Sequence, residues 1–444
     1  MTSEPGYPGA ETCPAAAAAA AVCTPDPDPA GRGEARSAEG GAAPLLDTYA
    51  KSVGRTTTET TPNTTVHQGE QAGDGESAKS AELRTSRWSA LGVLWDMSTL
   101  ERVRKCGRVT VGPSGTVQVR KTGAAVGYGG LATCGSVWAC PRCSAKIQAV
   151  RRLELGVLVA AAAAQGLTVA FGTVTLRHKQ GQALGMLWDA VTKGYRSVGQ
   201  SRKVRDMRAE LGRVGYVRTF EVTHGQNGWH PHIHTLQLFK FGVTQDQLDA
   251  LADAEFRVWQ RQAKNRGLGA PLRRNYELRR VSDASVALSD YFAKGVYDPT
   301  VARSSKSIGF EMSGSMTKAG RGKGSRTPWQ ILDDFKTTGD LADWDVWEEY
   351  ERASKGKRAL VWSPGLKDRF GVDDVDDEAI AEEEVGGVED VLFHVTDWSA
   401  VARDAKLGGQ LLGEVRRGGL SAGLAFCRSH GIPTAVGVPT AAAA

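Results

Sequence analysis

Three of the chain's eight histidines lie within five residues, at His230, His232 and His234. They follow a Gly-Gln-Asn-Gly turn, and the residues around them are mostly apolar. This pattern predicts the second strand of a β-hairpin. Alternate side chains of a strand share one face, so His232 and His234 should lie together. Two neutral imidazoles on a rigid surface suit a divalent cation, and His230 is expected to flank them or to act as a substitute ligand. The alternative is a polar strand face with solvated histidines.

The preceding strand, predicted for residues 215–223, can supply a carboxylate. An antiparallel partner can place Glu221 beside His232 and His234. A set of two imidazoles and one carboxylate leaves coordination positions open for water or phosphate oxygens. Pairing of Glu221 with Arg218 is the alternative, because the sequence does not fix the register of the strands.

Tyr291 and Lys294 form a second candidate pair, within a helix predicted for residues 284–297. Residues three apart on a helix share a face. A tyrosine is protonated at neutral pH and is therefore a weak nucleophile, but a nearby ammonium group stabilises its phenolate. A cation can polarise a phosphate under attack. Such a pair is common on protein surfaces, and only its position after the histidine hairpin makes Tyr291 a candidate nucleophile.

Four of the seven cysteines, Cys106, Cys134, Cys140 and Cys143, have the spacing of a metal site, and the last two form a CxxC knuckle. Four thiolates complete a closed tetrahedral zinc site, which is typical of structural zinc. Zinc binding would help to fold a module that is too small to be stable alone. A redox-active CxxC pair is the alternative, but it would leave the other two cysteines without a role.

The composition indicates a protein with a sizeable core and a polyanionic partner. The chain has 444 residues, of which 41% are hydrophobic and 24% charged, and its formal net charge is +5. Ten acidic residues and no basic ones lie between positions 371 and 390, so the rest of the chain is strongly basic and suited to nucleic acid. No apolar run is long enough to cross a bilayer, and the apolar stretch near the N-terminus lacks a basic start. We therefore expect a cytoplasmic protein with no membrane partner.

The composition and turn signals divide the chain into six regions. These are a disordered N-terminal tail (1–85), a zinc-binding module (86–143), the domain with the histidine hairpin (144–300), a basic loop with aromatic-rich helices for DNA binding or docking (301–370), an acidic linker (371–390) and a helical C-terminal tail (391–444).

The predicted elements of the central domain alternate between strands and helices. A helix with Ser144 as its N-cap (144–165) precedes a strand (167–176) and one long helix (183–211). The hairpin, another helix, a strand at 275–281 and the helix with Tyr291 follow. This order fits an α+β fold with a central antiparallel sheet and helices packed on it.

Two basic stretches, 261–280 and 303–326, are candidates for DNA contacts. The DNA-binding candidates within them are Arg273, Arg274, Arg279, Arg280, Arg321, Lys323 and Arg326. Tyr276 lies among the first group and is predicted to stack on a base. The alternative for both stretches is a solvated basic surface.

The chain resembles rolling-circle replication initiators of the HUH endonuclease superfamily, of the kind carried by Streptomyces and other actinobacterial plasmids. The residues that carry the resemblance are His232-Ile233-His234, the strand at 171–176, Glu221, Tyr291 with Lys294, and the pattern of four cysteines. The resemblance runs from about residue 106 to residue 298. It implies that 144–300 is a nickase domain with the HUH-endonuclease fold. It further implies that Glu221, His232 and His234 hold Mg²⁺ or Mn²⁺ and that the four cysteines hold structural Zn²⁺.

The resemblance also implies an activity. Such initiators bind the double-strand origin of a plasmid and nick one strand at an exposed single-stranded site. Tyr291 would attack the scissile phosphate and form a 5′-phosphotyrosine bond, while Lys294 neutralises charge. The released 3′-OH would prime synthesis by a host polymerase, with a host helicase as a further partner, and the displaced strand would later be rejoined.

The sequence departs from the family pattern in how strand transfer ends. Some relatives carry a glutamate one turn before the tyrosine, where this chain has Ala287, and no second tyrosine follows at i+4. Attack by Tyr291 of a second protomer in a homodimer is our hypothesis for this step. A conjugative relaxase, a non-catalytic zinc-containing DNA-binding regulator and a metal-dependent hydrolase are the alternative functions. A covalent protein–DNA bond separates the initiator and the relaxase from the other two.

Overall fold

A computed structural model of the chain describes residues 78–112, 115–123, 125–240, 242–281, 324–382 and 390–437. Its helices are α1 (Ala78–Met97), α2 (Glu101–Lys105), α3 (Pro141–Ala164), α4 (Leu184–Gln200), α5 (Arg202–Glu210), α6 (Gln245–Asn265), α7 (Pro328–Thr338), α8 (Leu341–Ser354), α9 (Leu366–Arg369), α10 (Asp377–Glu382), α11 (Ser399–Arg403) and α12 (Lys406–Ser429). Its strands are β1 (Val117–Thr122), β2 (Ala125–Gly129), β3 (Thr168–Thr175), β4 (Arg213–Gly225), β5 (Gly228–Phe239), β6 (Tyr276–Arg280), β7 (Leu360–Trp362), β8 (Val391–Val395) and β9 (Thr434–Ala435). Within the described ranges, no helix has both the length and the apolar character needed to span a membrane.

Five antiparallel strands form the sheet that carries the histidines, which we call the site sheet. Its strand order is β6-β3-β5-β4-β7. Strands β4 and β5 form the predicted hairpin, joined by Gln226 and Asn227, and Gly228 at the turn has a φ of 79°. Glycine adopts this left-handed conformation without the steric penalty that a side chain would bring. The mixed α+β architecture with an antiparallel sheet is confirmed.

Helices cover both faces of the site sheet. On one face, Leu155 and Leu158 of α3 pack in a buried cluster with Leu236 and Leu238 of β5. On the other face, Trp188 of α4 stacks on Phe220 of β4 with 4.2 Å between ring centroids. The odd- and even-numbered residues of β5 therefore face different helical layers, as strand geometry requires. His232 and His234 share the parity of Leu236 and lie on the α3 face, which we call the site face.

A second sheet joins two distant parts of the chain. Its strand order is β2-β1-β8-β9, and β1 pairs antiparallel with β8. Helices α1 and α12 pack together, and the Tyr128 hydroxyl of β2 donates to the Gly408 carbonyl of α12 at 2.7 Å. The segment predicted as a helical tail (391–444) thus contributes strands to a sheet as well as a helix. Its hydrogen-bonding partners lie in the predicted zinc module (86–143).

Several element boundaries differ from the predictions. Helix α1 begins at Ala78, inside the predicted disordered tail. The predicted helix 183–211 is two helices that meet at Ser201, where the backbone is extended. Helix α3 begins at Pro141, and its N-cap is Cys140 rather than Ser144. The extended backbone at Ser201 and the contact of the Cys140 sulfur with the Cys143 N–H set the last two boundaries, which residue propensities alone do not reveal.

The described parts of the regions after the central domain pack into the same fold. Strand β7 pairs with β4 at the edge of the site sheet, so the predicted docking region (301–370) completes that sheet. Trp344, Trp347 and Tyr350 of α8 are buried, in agreement with a core role. The predicted acidic linker contains α10, and Asp377 of that helix forms a 2.8 Å ion pair with Arg151 of α3. This part of the acidic segment packs against the fold and is not a solvated linker.

Candidate active site

The β4–β5 hairpin brings the three predicted cation ligands together. Glu221 pairs directly with His232, and Thr219 of β4 pairs with His234. The Glu221 Oε2 atom lies 3.4 Å from His232 Nε2 and 3.3 Å from His234 Nε2. The two-residue turn fixes this register, because a slip by one residue would move the histidines to the other face. We call these three residues the histidine cluster.

The Nδ1 atoms of both imidazoles lie near oxygen atoms that can accept a hydrogen bond. The Nδ1 atom of His232 lies 3.4 Å from the carbonyl oxygen of His230, and a carbonyl can only accept. The Nδ1 atom of His234 lies 3.1 Å from the Thr173 hydroxyl of β3. The Thr173 hydroxyl can donate or accept, so it permits the Nδ1–H form of His234. When both rings carry their proton on Nδ1, the lone pairs of the Nε2 atoms that face Glu221 are available to a cation. Second contacts of this kind are typical of metal-binding histidines.

The histidine cluster is suited to a divalent cation by its donor types as well as by its geometry. Its three ligand atoms lie within 4.8 Å of one another. The side chains of Glu221, His232 and His234 are 14%, 13% and 9% exposed, so the cluster is shielded but reachable. Two nitrogen donors and one carboxylate leave positions for oxygen ligands from a substrate. These residues fit the Mg²⁺ or Mn²⁺ site that the resemblance implies, although they do not identify the ion.

The sequence analysis missed a fourth histidine beside this cluster. The Nε2 atom of His178 lies 2.8 Å from Nδ1 of His230, and its Nδ1 atom lies 3.0 Å from the Asn227 carbonyl oxygen. Burial lowers the pKa of His230 to about 4, with His232 and His178 adding to the effect. The ring nitrogen of His230 that contacts His178 is its Nδ1 atom. No local sequence signal identifies His178, because it reaches this end of the hairpin only through the antiparallel pairing of β3 with β5.

Phe171 of β3 contacts the cluster from the direction of β6. Its ring stacks on the imidazole of His234 at 5.2 Å between centroids and an interplanar angle of 26°. Phe171 is half-buried, whereas Glu277 and Arg279 of the adjacent edge strand β6 are exposed. Among the residues that the structure describes, none covers Glu277 and Arg279 on the β6 side of the site face.

The four predicted zinc ligands also converge. Cys106 Sγ and Cys134 Sγ each lie 3.6 Å from Cys143 Sγ, and Cys140 Sγ lies 3.6 Å from Cys106 Sγ. These distances exclude disulfides, whose sulfur atoms are about 2.05 Å apart, and approach the roughly 3.8 Å edge of a tetrahedral zinc–thiolate site. All four side chains are buried. We call them the cysteine cluster.

The electrostatics of the cysteine cluster favour partial deprotonation. Contact with Cys106 first, and with the other two thiols, holds the pKa of Cys143 well below its usual range. Burial raises the pKa of Cys140. The Cys140 sulfur accepts from the Cys143 backbone N–H at the start of α3, which is a helix-cap contact. The donor set suits Zn²⁺, although it does not identify the metal.

The predicted DNA-binding arginines differ in their surroundings. Arg273 is paired with Asp253, and Arg326 lies 2.7 Å from both Asp334 and Asp343. Arg274, Arg279 and Arg280 are exposed. Arg321, Lys323, Tyr291 and Lys294 lie outside the described residues.

The prediction that Tyr276 stacks on a base is wrong. Tyr276 is 2% exposed, and its hydroxyl donates to Glu255 Oε2 at 2.9 Å. Glu255 also forms a buried ion pair with Arg208 at 2.6 Å. Tyr276 is therefore part of a polar network inside the core.

Comparison with known proteins gives two relatives, both from Streptomyces. The chain is 29% identical to "Protein rep" of Streptomyces lividans over 345 residues, which cover 62% of this chain and 74% of that protein. It is 34% identical to a "Neomycin resistance protein" of Streptomyces cyanogenus over 141 residues, covering 26% of this chain and 32% of that protein. No family model and no solved structure matches the chain. The first relative, which covers the larger share of both chains, bears out the resemblance to a Streptomyces plasmid Rep protein.

Proposed function

We propose that this chain initiates rolling-circle replication of a plasmid by nicking one strand of the origin. The similarity to a Rep protein supports plasmid replication initiation in general. The nicking chemistry is supported by one observation above all, the convergence of Glu221, His232 and His234 on one sheet face. On this proposal the central domain is an HUH nickase.

Each residue has a distinct part in the proposed reaction. Glu221, His232 and His234 hold a Mg²⁺ or Mn²⁺ ion, which supplies Lewis-acid polarisation of a phosphate oxygen when bound. The Tyr291 hydroxyl gives up its proton as its oxygen attacks the scissile phosphorus. The bond from phosphorus to the 3′ oxygen breaks, and the departing oxygen takes up a proton, so no net proton is gained or lost. The products are a 5′-phosphotyrosine bond and a free 3′-OH. Lys294 offsets the negative charge that develops.

The ends of the described segments are compatible with this role for Tyr291. The Val281 backbone N–H donates to the Val169 carbonyl of the site sheet at 2.8 Å. After residues 282–323, Arg326 forms a β-bridge with His224, three residues beyond Glu221 in the same strand. The chain that contains Tyr291 and Lys294 therefore leaves and rejoins the fold at the site sheet.

The partners follow from the same proposal. Origin DNA with an exposed single-stranded site is the substrate, a host polymerase extends the 3′-OH, and a host helicase separates the strands. A homodimer would supply a second Tyr291 for termination. A relaxase that acts at a transfer origin is the second candidate, because it would use the same site; the position of the nick distinguishes the two.

Nicking of supercoiled DNA of the replicon that encodes the protein tests the proposal. Wild type with Mn²⁺ should give open-circular DNA and a protein–DNA adduct that survives SDS. Tyr291→Phe should abolish both products. Loss of a residue that only hydrogen-bonds to a metal ligand costs roughly 10–100-fold. His234→Ala removes a ligand itself and should reduce both products by more than that. The fold should be intact in both variants, as far-UV circular dichroism can check. Nicking that persists in Tyr291→Phe would place the nucleophile elsewhere or indicate hydrolysis, and binding without any nicking would favour the regulator.

A further inference from the structure

The site face is covered unevenly by the rest of the fold. Helix α3 packs over the end of the sheet that contains Leu236 and Leu238. On the β6 side of the same face, Glu277 and Arg279 are exposed. Phe171 lies between the two regions, because it packs against the α3 cluster and is only half-buried. Within the described part of the chain, the β3–β6 edge is therefore the side from which a substrate can approach the histidine cluster.

Strand register separates two neighbouring arginines that look equivalent in the sequence. Arg279 pairs with Phe171, and Arg280 pairs with Ala170. Directly opposed residues of an antiparallel pair point to the same face, so Arg279 shares the site face with Phe171. Arg280 belongs to the opposite face, with Ala170, and its backbone N–H donates to Gln245 of α6 at 2.8 Å.

Phe171 and Arg279 together have the chemistry of a single-strand contact. The Phe171 ring is oriented by its stacking on His234, which is itself oriented by Thr173. An ordered aromatic ring on a sheet is a stacking platform for an unpaired base, and an adjacent guanidinium neutralises a backbone phosphate. Two such groups next to a cation site would place one nucleotide at a fixed distance from the phosphate under attack.

We propose that the β3–β6 edge of the site face binds the single-stranded DNA next to the scissile phosphate, with one base on Phe171 and one phosphate on Arg279. This inference rests on the proposed nickase function and assigns the substrate contacts of that same site. Arg280, on the other face, does not contact this strand.

Glu277 limits where the phosphate can lie. Glu277 pairs with Thr173 and lies two residues before Arg279 in β6. It therefore shares the site face with Arg279. Its carboxylate repels a phosphate at that position, which directs the phosphate toward Arg279. Removal of this charge should consequently strengthen binding.

Binding of fluorescein-labelled dT15 to the full-length Tyr291→Phe protein, measured by anisotropy in EDTA, tests the surface without cleavage or added metal. Arg279→Ala should weaken binding about 5–10-fold and reduce the slope of log K against log salt by about 0.7, as expected for one phosphate contact on a single strand. Arg280→Ala should bind within about twofold of the parent, and it is the matched control. Glu277→Gln should bind more tightly than the parent.

Phe171 is tested by a conservative pair of variants. Phe171→Leu should weaken dT15 binding about tenfold, whereas Phe171→Tyr should retain it, since stacking requires the ring. Thermal melting should show that both variants are folded. Equal dT15 binding by the leucine and tyrosine variants would show that no base stacks on Phe171. Equal effects of Arg279→Ala and Arg280→Ala on dT15 binding would overturn the assigned surface.

Two results separate this inference from the proposed function. If wild type nicks and forms the adduct while Arg279→Ala and Phe171→Leu bind dT15 like the parent, the surface is wrong and the nickase stands. If dT15 binding depends on Arg279 and Phe171 but wild type forms no adduct with any DNA, the nickase proposal fails and the binding surface stands.

Discussion

The cysteine cluster and the histidine cluster are both candidate metal sites, yet they are built in opposite ways. The cysteine cluster has four buried side chains, so a bound ion would have its coordination filled by the protein. The histidine cluster has three ligands, which are partly exposed beside an open sheet edge. Closed sites stabilise folds, whereas open sites leave room for a substrate. On the proposed function, the cysteine cluster would therefore have a structural role and the histidine cluster a catalytic one.

Helix α3 connects the two clusters physically. Its N-cap, Cys140, belongs to the cysteine cluster. Leu155 and Leu158, further along the helix, pack in one cluster with Leu236, which lies two residues after His234 in β5. Loss of metal from the cysteine cluster would thus affect the start of a helix that supports the site sheet. Loss of a cation from the histidine cluster would affect only groups at the surface of that sheet.

The largest expected effect is the loss of one thiolate from the closed site. Cys143→Ser should lose bound zinc and, with it, roughly 10 kcal/mol of folding free energy, which is comparable to the whole stability of a domain. Urea unfolding and metal analysis would measure both losses. Cys427→Ala, at a buried cysteine outside the cluster, should keep its zinc and lose only about 1–3 kcal/mol. If the Cys143→Ser protein is as stable as wild type, the cysteine cluster does not stabilise the fold.

A chelator should act differently at the two sites. EDTA should abolish nicking at once by removing the cation from the histidine cluster, and added Mn²⁺ should restore it fully. One zinc per chain should remain in the cysteine cluster, with an unchanged melting temperature. Metal analysis after gel filtration, together with the nicking assay, checks both expectations. If EDTA removes the metals of both clusters at the same rate, the cysteine cluster is not a closed site. If nicking resists EDTA, the histidine cluster is not an open cation site.

The difference between the clusters also explains what the sequence could predict. The ligands of the histidine cluster lie within 14 residues on a hairpin whose two-residue turn sets the register, so local pattern was sufficient to group them. Thr173 contacts His234, and His178 contacts His230, only because β3 pairs with β5. These two strands are much farther apart in the sequence than the two strands of the hairpin. The four cysteines were identified from their residue type and spacing, which is a strong signal for metal binding.

The second sheet could not be predicted for the same physical reason. Val119 of β1 pairs with Phe393 of β8, and neither strand has a local signal that specifies the other. The segment after residue 390 is dominated by the long helix α12, so its periodicity indicated a helical tail. Buried contacts across the chain, rather than propensity, place β8 in the sheet.

Removal of the Thr173 hydroxyl should give a smaller effect, confined to the open site. Thr173→Val keeps the shape of the side chain but loses the hydroxyl that can accept a hydrogen bond from His234 Nδ1 when Nε2 binds a cation. Mn²⁺ affinity should fall about 10–100-fold, the usual cost of losing such a partner, and Thr173→Ser should restore most of it. Isothermal titration with Mn²⁺ on zinc-loaded protein measures this directly. If the valine and serine variants bind Mn²⁺ equally well, the hydroxyl does not orient His234.

The smallest effect concerns His230, which lies beside the open cluster but contacts His178. Burial, with neighbouring His232 and His178, lowers the pKa of His230 from its ordinary 6.5 to about 4 in the folded protein. Between these values the unfolded chain binds more protons than the folded chain, so the free energy of unfolding rises with pH from 4 to 6.5 and the destabilisation is complete below about pH 4. After allowance for solvent screening this destabilisation amounts to roughly 1–2 kcal/mol.

Urea unfolding in EDTA at pH 7.5 and pH 4.5 measures this effect. His230→Gln should lose less stability on acidification than wild type. His430→Gln, at an exposed histidine, is the control and should follow wild type. An identical pH dependence in all three proteins would mean that His230 protonates as easily in the fold as in the unfolded chain, and that this edge of the site is more open to water than its packing against His178 indicates.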